Sequence, residues 1–324
     1  MRATVLSRRQ VLRSAAAVAA AAALPPATAA SGSGASGAGK GAAAAGTVPL
    51  GGDLVVARMG YGAMRITGEG VWGEPADPEQ SRAVLRRAVE LGVDFIDTAD
   101  SYGPYVSERL IAEALYPYPK GLVVATKGGL TRSGPGGWDP DGRPEHLRTA
   151  CEGSLRRLRV ERIDLYQLHI PDPKVPYEDS VGELARLQKE GKIRHIGLSN
   201  VSAVQLAAAR AIVPIVSVQN RYNVADRGAD DVLAICERDG LAFIPWAPLG
   251  RSGRDSTPDT GAKAALEAIA RERSISPYQA QLAWLLSRSP VMLPIPGTAS
   301  PGHLEDNVAA AGMRLTTAEM QRIG

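Results

Sequence analysis

Cysteine is nearly absent from this chain: Cys151 and Cys236 are the two thiols in 324 residues. They lie far apart, each inside a predicted helix, so no disulfide framework can be read from them and two buried thiols are expected. Histidine is almost as scarce, with His146, His169, His195 and His303. None has a histidine four residues away or a cysteine at ligand spacing, which argues against a metal site. Long hydrophobic runs are missing as well. The apolar stretch Ser14–Leu24 is rich in alanine and too short for a permanent membrane anchor, which needs about 20 residues. A third absence bears on the fold. Met59-Gly-Tyr-Gly-Ala-Met64 offers two glycines after the first predicted strand but no third at the spacing of a dinucleotide fingerprint, which disfavours an open doubly wound sheet. Gly32-x-Gly34-x-x-Gly37 matches the fingerprint formally, yet it sits in a low-complexity run with no strand before it and no helix after it.

What is present begins with an N-terminal extension. Ser7-Arg-Arg-Gln-Val-Leu-Arg13 carries paired arginines, the alanine-rich run follows, and Ala27-Thr28-Ala29 suits a small-residue cleavage site. The order of these parts resembles a twin-arginine export signal over residues 1–29, so the mature protein is expected in the periplasm or outside the cell. A misassigned start codon would instead leave it cytoplasmic. Residues 30–46 are Gly, Ala and Ser apart from Lys40 and are expected to form a flexible tether. Removing residues 1–29 takes away Arg2, Arg8, Arg9 and Arg13 and no acid, so the formal charge falls from +3 to −1. The basicity belongs to the signal, and no nucleic-acid surface is indicated. From residue 47 to 324 the chain is long enough for one large domain with a substantial core.

That domain alternates short β-rich runs with longer amphipathic ones. Strands are predicted at 59–64, 95–97, 122–126, 163–169, 193–199, 216–219, 243–247 and 291–295. Helices are predicted near 79–91, 107–115, 144–158, 177–190, 201–211, 229–239, 261–287 and 303–311. Eight strand–helix units point to an α/β fold, a (β/α)8 TIM barrel. Residues 50–56 read as a hairpin capping its N-terminal end. The long polar loops 128–143 and 248–260 then emerge at the C-terminal face, where barrel enzymes react.

Three successive strands each deliver a polar group near that face. Phe95-Ile-Asp-Thr-Ala-Asp-Ser-Tyr-Gly103 brings Asp97 and Tyr102, Leu122-Val-Val-Ala-Thr-Lys127 ends in a cation, and Ile163-Asp-Leu-Tyr-Gln-Leu-His169 in an imidazole. A carbonyl accepting hydride needs a proton at its oxygen. Tyr102 is the candidate acid. Its pKa, near 10 when free, needs a neighbouring cation to fall. Lys127 would lower it, Asp97 would anchor the lysine, and His169 would orient the carbonyl oxygen.

These segments resemble the aldo-keto reductase family, together with Gly191-Lys-Ile-Arg-His-Ile-Gly-Leu-Ser-Asn200, Ile295-Pro-Gly-Thr-Ala-Ser300 and His303-Leu-Glu-Asp-Asn307. The resemblance spans about residues 48–323. It implies a catalytic tetrad of Asp97, Tyr102, Lys127 and His169, and a nicotinamide cofactor extended across the barrel mouth. It further implies that Ser199, Asn200 and Gln219 hold the carboxamide and that Trp246 stacks on the ring. Gly62, Met64, Pro248 and Leu249 would line the cofactor's path. Gly297, Thr298, Ser300, His303, Asp306 and Asn307 would form the adenosine-phosphate site.

Many relatives carry a lysine and an arginine where this chain has Gly297 and His303. NADP(H) is still expected from the resemblance, with NAD(H) as the alternative. Relatives with a long C-terminal tail use it to wall the substrate pocket, whereas this sequence ends at Gly324. Trp72, Tyr105 and Trp138 are therefore expected to line an open, permissive pocket for a small carbonyl or alcohol. The expected function is NADP(H)-dependent reduction of aldehydes or ketones, or the reverse oxidation. The alternatives are a nicotinamide-binding regulatory subunit with little turnover and a sugar-isomerase-like barrel, the latter disfavoured by the lack of metal ligands.

Overall fold

A computed structural model describes residues 40–250 and 261–324. The expected signal, the tether as far as residue 39 and residues 251–260 of the second long loop lie outside the described residues.

The hairpin comes first, as β1 (Thr47–Leu50) and β2 (Leu54–Ala57) paired antiparallel. Then β3 (Tyr61–Gly62), α1 (Pro78–Glu90), β4 (Phe95–Asp97), α2 (Val106–Leu115) and β5 (Val123–Gly128) alternate. A short antiparallel pair, β6 (Leu130–Thr131) and β7 (Asp139–Pro140), folds the loop after β5. The alternation resumes through α3 (Pro144–Leu158), β8 (Ile163–Leu168), α4 (Tyr177–Lys189), β9 (Ile193–Ser199), α5 (Ala203–Arg210), β10 (Ser217–Gln219), α6 (Asp230–Asp239) and β11 (Ala242–Phe243). Helices α7 (Ala262–Glu272), α8 (Pro277–Arg288), α9 (Pro301–Ala309) and α10 (Thr317–Ile323) complete the chain.

Seven strands form one parallel sheet in the order β11-β10-β9-β8-β5-β4-β3. The eighth predicted strand, 291–295, has no regular ladder, yet it closes the ring. Phe243 N–H donates to Val291 O at 2.9 Å and Leu293 N–H to Phe243 O at 2.8 Å. On the other side Gly60 N–H donates to Pro294 O at 3.0 Å and Gly62 N–H to Pro296 O at 3.5 Å. Pro294 and Pro296 have no N–H to return, so this edge is bonded in one direction only. The fold is a (β/α)8 barrel.

Two expectations about boundaries need correction. The helix predicted over 261–287 is two helices: Ser274 is left-handed (φ 54) and Ser276 caps α8 in a reciprocal box with Gln279. Residues 40–46, expected in the tether, belong to the folded body. Gly41–Ala45 forms a 3-10 turn with Ala42 and Ala45 buried. Ala42 N–H bonds Leu91 O, and the Arg314 guanidinium donates to Ala45 O at 2.7 Å. Alanine side chains are short enough for that turn to lie flush on the barrel.

Strand side chains alternate between two faces, and this alternation builds the site. The outward set (Ile96, Tyr166, Leu168, Ile196) packs against the helices, while the inward set (Phe95, Val123, Ala125, Leu165, Val216, Leu293) fills the barrel. The hairpin's Val48, Leu50 and Val56 join the inward cluster and plug its base. One step of two residues further along β4, β5 and β8, the inward positions become Asp97, Lys127 and Gln167. Register aligns Lys127 with Gln167 and Gln219 with Ser199. Apolar below and polar above, the interior ends in a site.

Candidate active site

Lys127 is fully buried, and its Nζ lies 2.7 Å from Asp97 Oδ2, 2.9 Å from Thr98 O and 3.3 Å from Tyr102 Oη. Asp97 Oδ1 accepts from two amides, Gln219 Nε2 at 2.8 Å and Gln167 Nε2 at 3.1 Å. The His169 ring stands edge-on to Tyr102, centroids 5.8 Å apart, and its Nδ1 is 3.3 Å from Ser101 Oγ. The four expected side chains therefore meet. Gln167 and Ser101 join them, though the sequence reading gave neither a role; Gln167 was detectable as the inward position between Leu165 and His169.

Charge states follow from burial and neighbours. Burial opposes the Lys127 ammonium, but Asp97 and Tyr102 outweigh it and hold the pKa above its ordinary value. Burial, reinforced by the Lys127 charge, holds His169 well below its usual value, so the imidazole is neutral at neutral pH. For Tyr102 the expectation was a lowered pKa. The structure reverses the sign: burial raises it, Lys127 pulls down, and Asp97 pushes up again. The phenol is protonated at rest.

Above this group opens a cleft of about 250 Å³. Asp97, Tyr102 and His169 form its floor. Of the expected residues, Gly62, Met64, Ser199, Asn200, Gln219, Trp246, Pro248, Leu249, Gly297 and Trp138 line it, and so do the unforeseen Arg65 and Leu130. Gly62 and Gly297 are forced by backbone approach: a Cβ on Gly297 would meet Gly62 O at 2.5 Å, and one on Gly62 would meet Ile295 O at 2.6 Å. Trp246 is half-buried and faces the cleft. Its Nε1–H donates to Asn200 Oδ1 at 3.0 Å, while Asn200 Nδ2 donates to His169 O and Ser199 Oγ, both at 3.0 Å.

Other expected residues lie elsewhere. Tyr105 is 53 % exposed, left-handed at the start of α2, with the Arg157 guanidinium 4.3 Å from its ring. It walls nothing. Trp72 does not line the cleft either; its ring lies 5.6 Å from the Arg132 guanidinium. Thr298, Ser300, His303, Asp306 and Asn307 lie beyond the cleft around the start of α9. There Ser300 Oγ caps His303 N–H, and Thr298 and Asn307 are buried while His303 and Asp306 are exposed. Cys151 and Cys236 are free and buried, and burial pushes both thiols up to about 12. Among the described residues no cluster of His, Cys, Asp or Glu is arranged to hold a metal, and no helix is long and apolar enough to cross a membrane.

A family model described as the aldo/keto reductase family matches residues 58–324. The chain belongs to the aldo/keto reductase family. A second model, the twin-arginine translocation pathway signal sequence, matches residues 5–25, so the N-terminus carries an export signal of that route. The chain is 54 % identical over 273 residues to an uncharacterised oxidoreductase of Schizosaccharomyces pombe, covering 84 % of this chain and 87 % of that protein. It is 42 % identical over 267 residues to pyridoxine 4-dehydrogenase of Escherichia coli, covering 81 % and 91 %. Among solved structures, the glycerol dehydrogenase of Gluconobacter oxydans superposes with a TM-score of 0.77 at 30 % identity, covering 86 % of this chain and 94 % of that one. An aldo/keto reductase from Klebsiella pneumoniae in complex with NADP and acetate gives 0.72 at 28 %, covering 86 % and 93 %. This aldo/keto reductase is an oxidoreductase.

Proposed function

We propose that this aldo/keto reductase reduces an aldehyde or ketone with NADPH, with Tyr102 as the acid that protonates the carbonyl oxygen. One observation carries the reading: a phenol held in its protonated form, 3.3 Å from the buried Lys127 ammonium that Asp97 neutralises, at the floor of an open cleft. When bound, the nicotinamide supplies the hydride. Oxygen acquires negative charge as that hydride arrives, and the Tyr102 hydroxyl delivers a proton to it. Lys127 then stabilises the phenolate left behind. His169, neutral, donates a hydrogen bond to the same oxygen and fixes its direction.

The donor set fits a carboxamide. Gln219 spends its N–H on Asp97, which leaves its Oε1 to accept from an amide NH2. Ser199 Oγ accepts from Asn200, which leaves its O–H to donate to an amide oxygen. Asn200 is engaged by His169, Ser199 and Trp246, so it acts mainly as a bracket holding those groups rather than as a direct ligand. The phosphates would find Arg65. It is exposed, forms no hydrogen bond or ion pair with the described residues, and its Cγ lies 3.6 Å from where a Cβ on Gly297 would stand. Arg65 thus offers, beside Gly297, the cation that Gly297 does not, and it favours NADP(H) over NAD(H).

The twin-arginine route carries folded chains, so the cofactor would leave the cytoplasm already seated in the cleft. A relative named for pyridoxine dehydrogenation makes pyridoxal a first substrate to assay. The deciding experiment replaces Tyr102 with Phe on the mature chain. Turnover should fall by about a thousandfold or more, with the Kd for NADPH within a fewfold of the wild type. Retained turnover would sink the assignment, as would a wild-type chain that binds no nicotinamide.

A further inference from the structure

Arg132 has no part in the proton transfer described above, yet it is the most heavily bonded arginine at the mouth of the cleft. Its Nε donates to Gly137 O at 2.6 Å. Nη1 donates to Val71 O at 2.8 Å and Ser101 O at 2.9 Å, and Nη2 to Gly70 O at 3.1 Å and Gly134 O at 3.4 Å. A guanidinium has five N–H donors in a rigid plane, and here each has a backbone carbonyl. Among the described residues no carboxylate takes part.

Those carbonyls come from three separate segments. Gly70 and Val71 belong to the turn before Trp72, Ser101 immediately precedes Tyr102, and Gly134 and Gly137 lie in the loop between β6 and β7. Val71 is left-handed at φ 58, a strained setting for a β-branched residue. Its carbonyl accepts from Gly103 N–H as well as from Arg132. The guanidinium also lies 3.7 Å from the centroid of the Trp138 ring. Trp138 in turn stands edge-on to Tyr102, centroids 6.3 Å apart, and lines the cleft.

We infer that Arg132 is a positioning residue that clamps Trp138 and its loop against the Tyr102 turn, and thereby sets which carbonyl compounds reach the acid. The planar fork is required. Lysine has three donors on one atom and no flat face to stack, so it cannot satisfy three segments and the indole together. Because all five donors are spent on backbone carbonyls, the residue shapes the wall and keeps no free N–H to bind the substrate.

The test rests on the proposed carbonyl reduction for one readout and is independent of it for the other. Arg132→Lys and Arg132→Met are compared with the wild type on a bulky planar aldehyde that reaches Trp138 and on a small aldehyde that does not. The ratio of kcat/KM between the two substrates should change by about tenfold or more, through KM of the bulky one, with NADPH affinity unchanged. In a Trp138→Ala background the Arg132 substitution should leave that ratio within twofold. Independently of turnover, acrylamide quenching of Trp138, taken as the difference between each variant and its Trp138→Phe partner, should increase in both Arg132 variants. Equal losses on both substrates, or unchanged quenching in the lysine variant (which preserves the charge if the methionine variant misfolds), would overturn the inference. If the wild type reduces neither aldehyde, the functional reading fails, while quenching still decides the clamp.

Discussion

Replacing Lys127 with Met breaks an ion pair whose side chains are 0 % and 3 % exposed. Removing one member of such a buried pair costs about 3–5 kcal/mol, because the other charge is left without compensation. The structure places this protein at the lower end. Asp97 Oδ1 keeps its two amide donors from Gln167 and Gln219, so only Oδ2 loses its partner, for about 3 kcal/mol. Asp97→Asn strands the ammonium instead, with Thr98 O and the Tyr102 hydroxyl as its remaining partners, at a similar cost of about 3 kcal/mol. In the double variant neither charge of this pair remains, and its stability should return to within about 1 kcal/mol of the wild type. Urea unfolding followed by circular dichroism measures the cycle. Each single variant should also melt roughly 6–12 °C lower, at ~2–4 °C per kcal/mol for a domain of this size. Single losses below about 1 kcal/mol, or a double variant whose loss is the sum of the two, would refute the claim that burial makes this pair interdependent.

Three further outcomes follow from the site. Arg65→Ala should weaken NADPH binding about tenfold or more, read by calorimetry on the purified chain, since a charge-assisted contact to phosphate contributes roughly 1.5–3 kcal/mol; an unchanged Kd would remove Arg65 from the site. Tyr102 is held above its ordinary pKa, so the reductive rate should persist through neutral pH and decline only in strongly alkaline solution. Oxidation, which needs the phenolate, should rise with pH. A reductive limb that already falls through neutrality would show that burial does not govern the phenol. His169 resists protonation when folded, whereas the unfolded chain takes up that proton near pH 6.5. Acid therefore favours unfolding: the contribution is intact above about pH 6.5 and lost as pH falls below it. His169→Gln should flatten stability against pH there by up to about 1.4 kcal/mol per unit, and superimposable profiles would contradict this.

Alternation along β4, β5 and β8 was legible without coordinates. It turns Asp97, Lys127 and His169 to the inner face, and counting strand–helix units was enough to expect eight staves. The eighth was legible as a run but not as a strand, because its prolines remove the donors that a ladder uses. Tyr105 and Trp72 were misplaced for a different reason. A loop residue has no periodicity to orient it, and the left-handed backbone at Tyr105 aims that ring at Arg157 rather than into the cleft. The reversed sign at Tyr102 was hidden because the sequence supplies the neighbouring cation but not the depth of burial that outweighs it.

The sequence by itself therefore determined the barrel, the export signal and the inventory of chemical groups, since all three are written in local order and spacing. Only the tertiary structure decided how the groups are spent. Gln219 reaches Asp97 across 122 positions, and Arg132 bonds Gly70 O across 62. Such contacts depend on closure and register, which arise when every strand finds its neighbour at once. Hydrophobic periodicity specifies which face is inward. It carries no information about which inward groups will meet.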